Sequence, residues 1–188
     1  MAVTTAPLAD LGWDPDWATA FLPFDAAGRR PARVVAAHRD AWVLATQDGD
    51  RDAVISGRLR NRALGPADMP AVGDWVVADG ESKGDGPAVI RGILPRRTVF
   101  RRGAEEGHVI DDQVLAANVD VAFVVAGLDG DFNLRRIERY LAVAWSGGAT
   151  PVVVLNKSDV ATDLDALRVA AESVAPGTAI HAISARTG

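Results

Sequence analysis

Pro151-Val152-Val153-Val154-Leu155-Asn156-Lys157-Ser158-Asp159 is a short apolar run that breaks off into four polar residues. A run this short and this rich in valine suits a strand buried on both faces of a parallel sheet. Ligands of such sheets bind beyond the carboxyl ends of the strands, which is where the four polar residues stand. Upstream, residues 119–126 (VDVAFVVA) form a similar run, and downstream residues 178–184 offer a third strand. Residues 133–145 set Leu134, Ile137, Tyr140 or Leu141, and Ala144 at three- and four-residue steps opposite Arg135, Arg136, Glu138 and Arg139. That is the spacing of an amphipathic helix, capped by Asp131 or Asn133 and stopped by Gly147-Gly148. Residues 163–174 predict a second helix, ended by Pro176-Gly177. The order β-α-β-α-β predicts a parallel sheet with right-handed crossovers.

The residue types after residues 151–155 suit one base. An ionised carboxylate offers two acceptor oxygens and can take both the N1–H and the exocyclic amino group of guanine, whereas adenine presents an acceptor at N1 and no 2-amino group. Asp159 thus selects guanine, Asn156 can bond the base at N7 while bracing the loop, and the stem of Lys157 can lie over the ring with its ammonium outside. The third strand ends in Ser184-Ala185-Arg186-Thr187-Gly188. Backbone N–H groups there can donate to guanine O6, and Ser184 can brace the loop beside Asp159. Candidate base-reading residues are therefore Asn156, Lys157, Ser158, Asp159, Ser184, Ala185 and Arg186. The bland reading, a strand-to-helix turn built from the usual Asn, Ser and Asp, does not explain why a second loop falls where the first requires it.

From residue 31 to 102 the pattern is different. Short apolar runs rich in Val, Ile and Trp are punctuated every eight to twelve residues by turn signals such as Asp48-Gly49, Gly65-Pro66, Asp79-Gly80 and Asp85-Gly86, the signature of an all-β segment. Candidate strands are residues 33–38, 42–46, 53–59, 74–78 and 88–94, with 98–101 extending the last. Five strands are too few for a sandwich and fit a small closed barrel, since closure removes exposed edges. Trp42 and Trp75 sit inside apolar runs and read as core. Residues 1–30, with Trp13, Trp17, Phe21 and Phe24, fit either an extension packed on the barrel or a partly disordered segment.

The chain has 188 residues, 48% of them hydrophobic, and a net charge of −5. That supplies a real core. The charge is uneven: residues 51–102 hold ten basic against six acidic residues, and residues 103–112 hold four acids. Arg58, Arg60 and Arg62 alternate along the expected strand at 53–59 and its exit, and Arg91, Arg96, Arg97, Arg101 and Arg102 crowd the last strand and its exit. Arg58, Arg60, Arg62, Arg96, Arg97, Arg101 and Arg102 are the candidate RNA contacts, because small barrels of the OB type bind single strands across a basic face. The bland alternative is a solvated charged face. With no cysteine, disulfides and thiolate metal sites are excluded, and His38, His108 and His181 are too scattered for a zinc cluster. No apolar stretch reaches membrane-spanning length and the N-terminus lacks a signal-peptide pattern, so the expectation is a cytoplasmic protein without a membrane partner.

No phosphate-cradling G-x-x-x-x-G-K-[ST] loop occurs in these residues, and the lone D-x-x-G match, Asp25-Ala26-Ala27-Gly28, follows no apolar strand. In a GTPase of ordinary order that loop precedes N-K-x-D; here a barrel does. The chain resembles the circularly permuted GTPases of ribosome assembly, the RsgA/YjeQ family, on several stretches. Val72-Gly73-Asp74-Trp75-Val76 and Leu94-Pro95-Arg96-Arg97-Thr98 resemble that family's barrel signatures. Ala116-Ala117-Asn118-Val119-Asp120 resembles the entry to its G domain, and Asn133-Leu134-Arg135-Arg136-Ile137-Glu138-Arg139-Tyr140-Leu141 its first helix. The resemblance implies an N-terminal extension (1–30), an OB barrel (31–102), an acidic linker (103–112) and the first half of a permuted G domain (113–188), a two-domain α+β chain. It implies GTP or GDP as ligand, with Mg²⁺ and structural Zn²⁺ only in a C-terminal part not contained here. It further implies a hydrolase acting on GTP in late maturation of the small (30S) ribosomal subunit, with that subunit and its rRNA as partners. The expectation for these 188 residues by themselves is a piece without catalytic residues that does not turn over GTP. The rival readings are an RNA-binding barrel with an α/β scaffold, and an unrelated nucleotide enzyme.

Overall fold

The computed structural model describes residues 7–25, 28–79, 86–102 and 113–187. The expected acidic linker at 103–112, with His108, and the two ends, residues 1–6 and 188, lie outside them. Two units divide the chain, Met1–Asn118 and Val119–Gly188.

In the first unit, β1 (Arg29–Ala37), β2 (Trp42–Thr46), β3 (Gly49–Ile55), β4 (Trp75–Asp79) and β5 (Ala88–Ile93) close into a barrel in the order β1-β2-β3-β5-β4. Alternation decides which side chains go inside: Ala32, Val34, Trp42, Leu44, Ala53, Ile55, Val76, Ala78, Ala88 and Ile90 form the interior. Strand β4 is buried along nearly its whole length, because its outward residues Trp75 and Val77 are covered in turn. Their cover is a 3-10 turn at Leu8–Leu11 and the helix α1 (Pro15–Phe21), which bring Leu8, Trp17 and Phe21 onto Trp75, Val77 and Leu94. The Trp13 and Trp75 rings meet edge to face with centroids 4.7 Å apart. Of the two readings for the N-terminal extension, residues 7–25 follow the packed one.

Two expectations about strands are corrected. The strand expected at 53–59 ends at Ile55, and a helix α2 (Gly57–Arg62) follows. Ser56 is the reason: its Oγ accepts the Leu59 N–H at 3.2 Å, capping a helix at the place where alternating arginines suggested a strand. Residues 98–101 do not extend the last barrel strand. They lie in β6 (Val99–Arg102), which pairs antiparallel with β7 (Gln113–Ala117) in a separate two-stranded sheet. Residues 113–117, for which no strand was expected, form β7 within the first unit, which closes at Asn118.

The second unit is a parallel sheet in the order β10-β9-β8, from β8 (Val121–Gly127), β9 (Thr150–Asn156) and β10 (Ala179–Ala182). The helices α3 (Leu134–Ser146) and α4 (Leu164–Val174) are capped by Asn133 and Asp163, whose side chains accept the N–H of Arg136 and Ala166. Both helices share one core with Val124, Ala126, Val153 and Leu155, so they cover the same face of the sheet. On β8 the opposite residues Val121, Phe123 and Val125 are exposed.

Candidate functional site

Parallel pairing in register brings the two polar loops to one end of the sheet. Gly127 lies opposite Asn156, and Leu155 opposite Ala182, so β8, β9 and β10 deliver their carboxyl ends together. The backbone N–H of Ser158 donates to Ile183 O (3.0 Å), and that of Ile183 to Leu155 O (2.9 Å). Lys157 turns the chain with a positive φ of 68°, a conformation rare outside glycine and asparagine.

Side chains then lock the loops. Ser184 Oγ donates to Asp159 Oδ1 at 2.7 Å. Ser184 is buried and Asp159 exposed, so the hydroxyl fixes one carboxylate oxygen of a side chain that solvent reaches. Asn156 Oδ1 accepts the N–H of Lys157 (2.8 Å) and of Ala185 (3.0 Å). The amide oxygen is thereby occupied as a brace, and the amide NH₂ is the group left to meet an acceptor such as a purine N7. Of the backbone N–H groups on the second loop that were expected to be available to a base oxygen, that of Ala185 is taken by the Asn156 side chain at the end of the neighbouring strand. Ser158 contributes backbone contacts, and Arg186 lies exposed on the second loop. Lys157 Nζ donates to the Asp129 carboxylate on the loop after β8. This interaction raises the Lys157 pKa and lowers that of Asp129. Sequence reasoning missed Asp129; the available signal was the Asp129-Gly130 turn at the end of an apolar strand.

The arginines divide. Arg96 donates to both oxygens of Asp74 (2.8 and 2.7 Å) and to the carbonyls of Ala67 and Met69 (2.7 and 2.8 Å). Asp74 is fully buried and also accepts the Ala71 N–H. Arg96 is therefore an internal strut and is withdrawn as an RNA contact. A buried carboxylate needs that partner, since the charge would otherwise be stranded in a low dielectric. Arg97 is engaged too: its guanidinium binds Asp14 (2.6 and 2.8 Å) and lies 4.1 Å from the Trp17 ring centroid. Arg58, Arg60 and Arg62 do not share a strand face. On α2, Arg58 and Arg62 fall on one side and Arg60 on the other, where it pairs with Asp40 at 3.1 Å. Arg101 is exposed, and the Arg102 side chain lies outside the described residues. Among the described residues no group of three or more His, Asp or Glu side chains is placed to hold a metal ion.

Three of the stretches that carry the sequence resemblance, those holding Gly73, Arg97 and Asn118, meet in the first unit. Asn118, at φ 55°, accepts the Arg97 N–H on Oδ1 (2.9 Å) and donates from Nδ2 to Gly73 O (3.1 Å). Its carbonyl accepts from Arg33 (2.9 Å). Gly73 must be glycine, because its φ is +90° and a Cβ would stand 2.0 Å from Ala117 O.

A five-stranded barrel of OB type followed by an α/β unit with polar loops at its strand ends defines the class, that of the circularly permuted GTPases. Two solved structures share this fold: YjeQ from Thermotoga maritima (TM-score 0.63, 24% identity, 85% of this chain and 53% of that one) and YloQ, titled a circularly permuted GTPase (TM-score 0.63, 18% identity, 86% and 54%). The family model of the RsgA GTPase matches residues 93–188. The chain belongs to the RsgA GTPase family. It is 50% identical over 163 residues to the small ribosomal subunit biogenesis GTPase RsgA of Opitutus terrae, covering 83% of this chain and 44% of that protein. It is 40% identical over 187 residues to the RsgA of Syntrophotalea carbinolica, covering 96% and 50%. The chain thus spans about half the length of these curated relatives.

Proposed function

We propose that this chain supplies the guanine-reading loops and the barrel of a GTP-binding, GTP-hydrolysing factor that acts in late maturation of the small ribosomal subunit in the cytoplasm. The observation that carries the reading is the lock between the loops: Ser184 on Asp159, and Asn156 on Ala185. It holds one carboxylate and one amide at the strand ends at fixed positions, which is what recognition of a base edge requires. When GTP or GDP is bound, Asp159 would take the N1–H and the 2-amino group and Asn156 would face N7, with the Lys157 stem along the ring. Ser158 and Arg186 shape the two loops around it. The sequence holds no G-x-x-x-x-G-K-[ST] loop, and the chain spans about half the length of its relatives, so this reading assigns hydrolysis, with its Mg²⁺, and structural Zn²⁺ to parts of those longer proteins that the chain does not match. These 188 residues on their own are expected to show no turnover. The names of the relatives support the small subunit as partner, and the locked loops at the strand ends favour this reading over a bare RNA-binding module.

Competition between GDP and xanthosine diphosphate is the test. Asp159→Asn should shift preference toward xanthine, whose C2 carbonyl matches the amide donor; unchanged preference would overturn the guanine assignment. For RNA, the exposed arginines of α2, Arg58 and Arg62 with Arg60, and Arg101 stay candidate contacts to rRNA once Arg96 is withdrawn. Reversing Arg58 and Arg62 to Glu should weaken RNA binding and flatten its salt dependence by about one unit of slope per lost phosphate contact.

A further inference from the structure

We propose that Asp129 is a positioning residue of the base site: it holds the Lys157 ammonium on the loop after β8, so that the Asp159 carboxylate stays open to the base. The inference rests on the guanine reading above. Lys157 and Asp159 are two residues apart, and a lysine ammonium is a mobile point charge on a flexible stem with three donors. Left to itself it would pair with the nearest carboxylate. Asp129, Asp131 and Asp159 all act on the Lys157 charge, Asp129 most strongly. If Lys157 turned to Asp159, the carboxylate would enter an ion pair. The base would then have to displace a cation from the acceptor that reads it, since Ser184 already occupies Oδ1.

The fold arranges for Asp129 to win. Strand β8 ends directly beside β9, and the Leu128 N–H donates to Asn156 O at 2.8 Å, which ties the Asp129 loop to the base loop. Asp129 Oδ1 accepts the Asp131 N–H at 3.3 Å, which orients its carboxylate. The Lys157 N–H is held by Asn156 Oδ1, which orients the other partner from its backbone end. Between them lies Gly127. A Cβ there would stand 2.8 Å from Asp129 Oδ1 and 3.7 Å from Lys157 Cδ, so bare backbone forms the floor on which both side chains lie. The same pairing anchors the far end of the Lys157 stem, whose methylenes a purine ring would stack against.

The test uses the protein at its full natural length, with GDP, inosine diphosphate (which lacks the 2-amino group) and ADP as probes in equilibrium titrations. Asp129→Asn keeps the shape and removes the charge. It should lower GDP affinity about fivefold, the scale of a weakened charge-assisted contact, and should shrink the preference for GDP over inosine diphosphate. Asp129→Glu should restore both. In a Lys157→Met background, which keeps the stem and removes the ammonium, Asp129→Asn should cause no further loss. An equal loss for GDP and inosine diphosphate, or the same loss with Lys157→Met in place, would mean that Asp129 merely supports its loop and would overturn the inference. A wild-type protein with no preference for GDP over ADP would overturn the guanine reading and this inference together. A guanine-selective protein indifferent to Asp129→Asn would overturn this inference only.

Discussion

The barrel turns its best-formed ion pair inward, whereas the three-stranded unit carries its charged groups at open strand ends. In the barrel, sheet closure leaves no strand edge, and the N-terminal helix buries the outer side of β4. Its arginines are tied to the barrel's own acids: Arg96 supports Asp74 inside, while Arg97 clasps Asp14 and Arg91 grips Asp79 at 2.5 Å on the surface. In the α/β unit both helices lie on one face, Phe123 is 69% exposed on the other, and the polar groups meet where the strands stop. The lesson concerns charge. A basic stretch in a small β-barrel reports on how the barrel is held together before it reports on any partner, whereas polar residues at parallel strand ends have little structural work to do beyond bracing each other.

The largest effect should come from the open end. On the guanine reading, Asp159→Ala would remove two charge-assisted contacts to the base, about 3–6 kcal/mol in all, so titration calorimetry with GDP should show affinity falling by two orders of magnitude or more, beside a smaller stability loss of about 1–3 kcal/mol because the buried Ser184 hydroxyl loses its acceptor. Next comes Arg96→Ala, which strands the buried Asp74 carboxylate. A loss of about 3–5 kcal/mol is expected in urea unfolding; an unchanged midpoint would break the contrast by returning Arg96 to the surface.

Asn118→Ala should cost less, about 1–3 kcal/mol, since it leaves the Arg97 N–H and the Gly73 carbonyl without their partner. Smaller still is a pH effect at the clasp. The Arg97 guanidinium, aided by the Trp17 N–H, holds the Asp14 carboxyl well below the ordinary carboxylate range. A depressed folded-state value stabilises fully above the unfolded pKa of about 3.9, and that contribution is lost as pH falls toward the folded value. The stability difference between wild type and Asp14→Asn should therefore be constant from pH 7 to about 5 and shrink below about 4. The smallest change is expected for Phe123→Ser on the exposed face of β8, within about 0.5 kcal/mol; a large loss would show that this face is covered.

Much of the α/β unit was legible because its signals are local. The apolar run at residues 151–155, the cap at Asn133 and the stop at Gly147-Gly148 each specify structure within a few neighbours. The loops at Asn156–Asp159 and Ser184–Arg186 could be placed at one end because parallel strands with helical crossovers must deliver their carboxyl ends together. Asp129 was not legible: its partner Lys157 lies 28 residues away, and nothing in an Asp-Gly turn announces which strand end it will face.

The sequence by itself determined the alternation of a barrel, the β-α-β-α-β order, the polar residue types at the strand ends, and the resemblance that names the family. Only the tertiary structure decided what the arginines do. Arg58 and Arg96 look alike in the chain, yet one lies exposed on a helix capped by Ser56, and the other meets Asp74 across 22 residues. Secondary structure and strand-end chemistry arise from near neighbours and repeat with fixed periods. The partner of a charged side chain depends instead on which distant backbones the closed barrel brings within about 3 Å, and no local pattern encodes that distance.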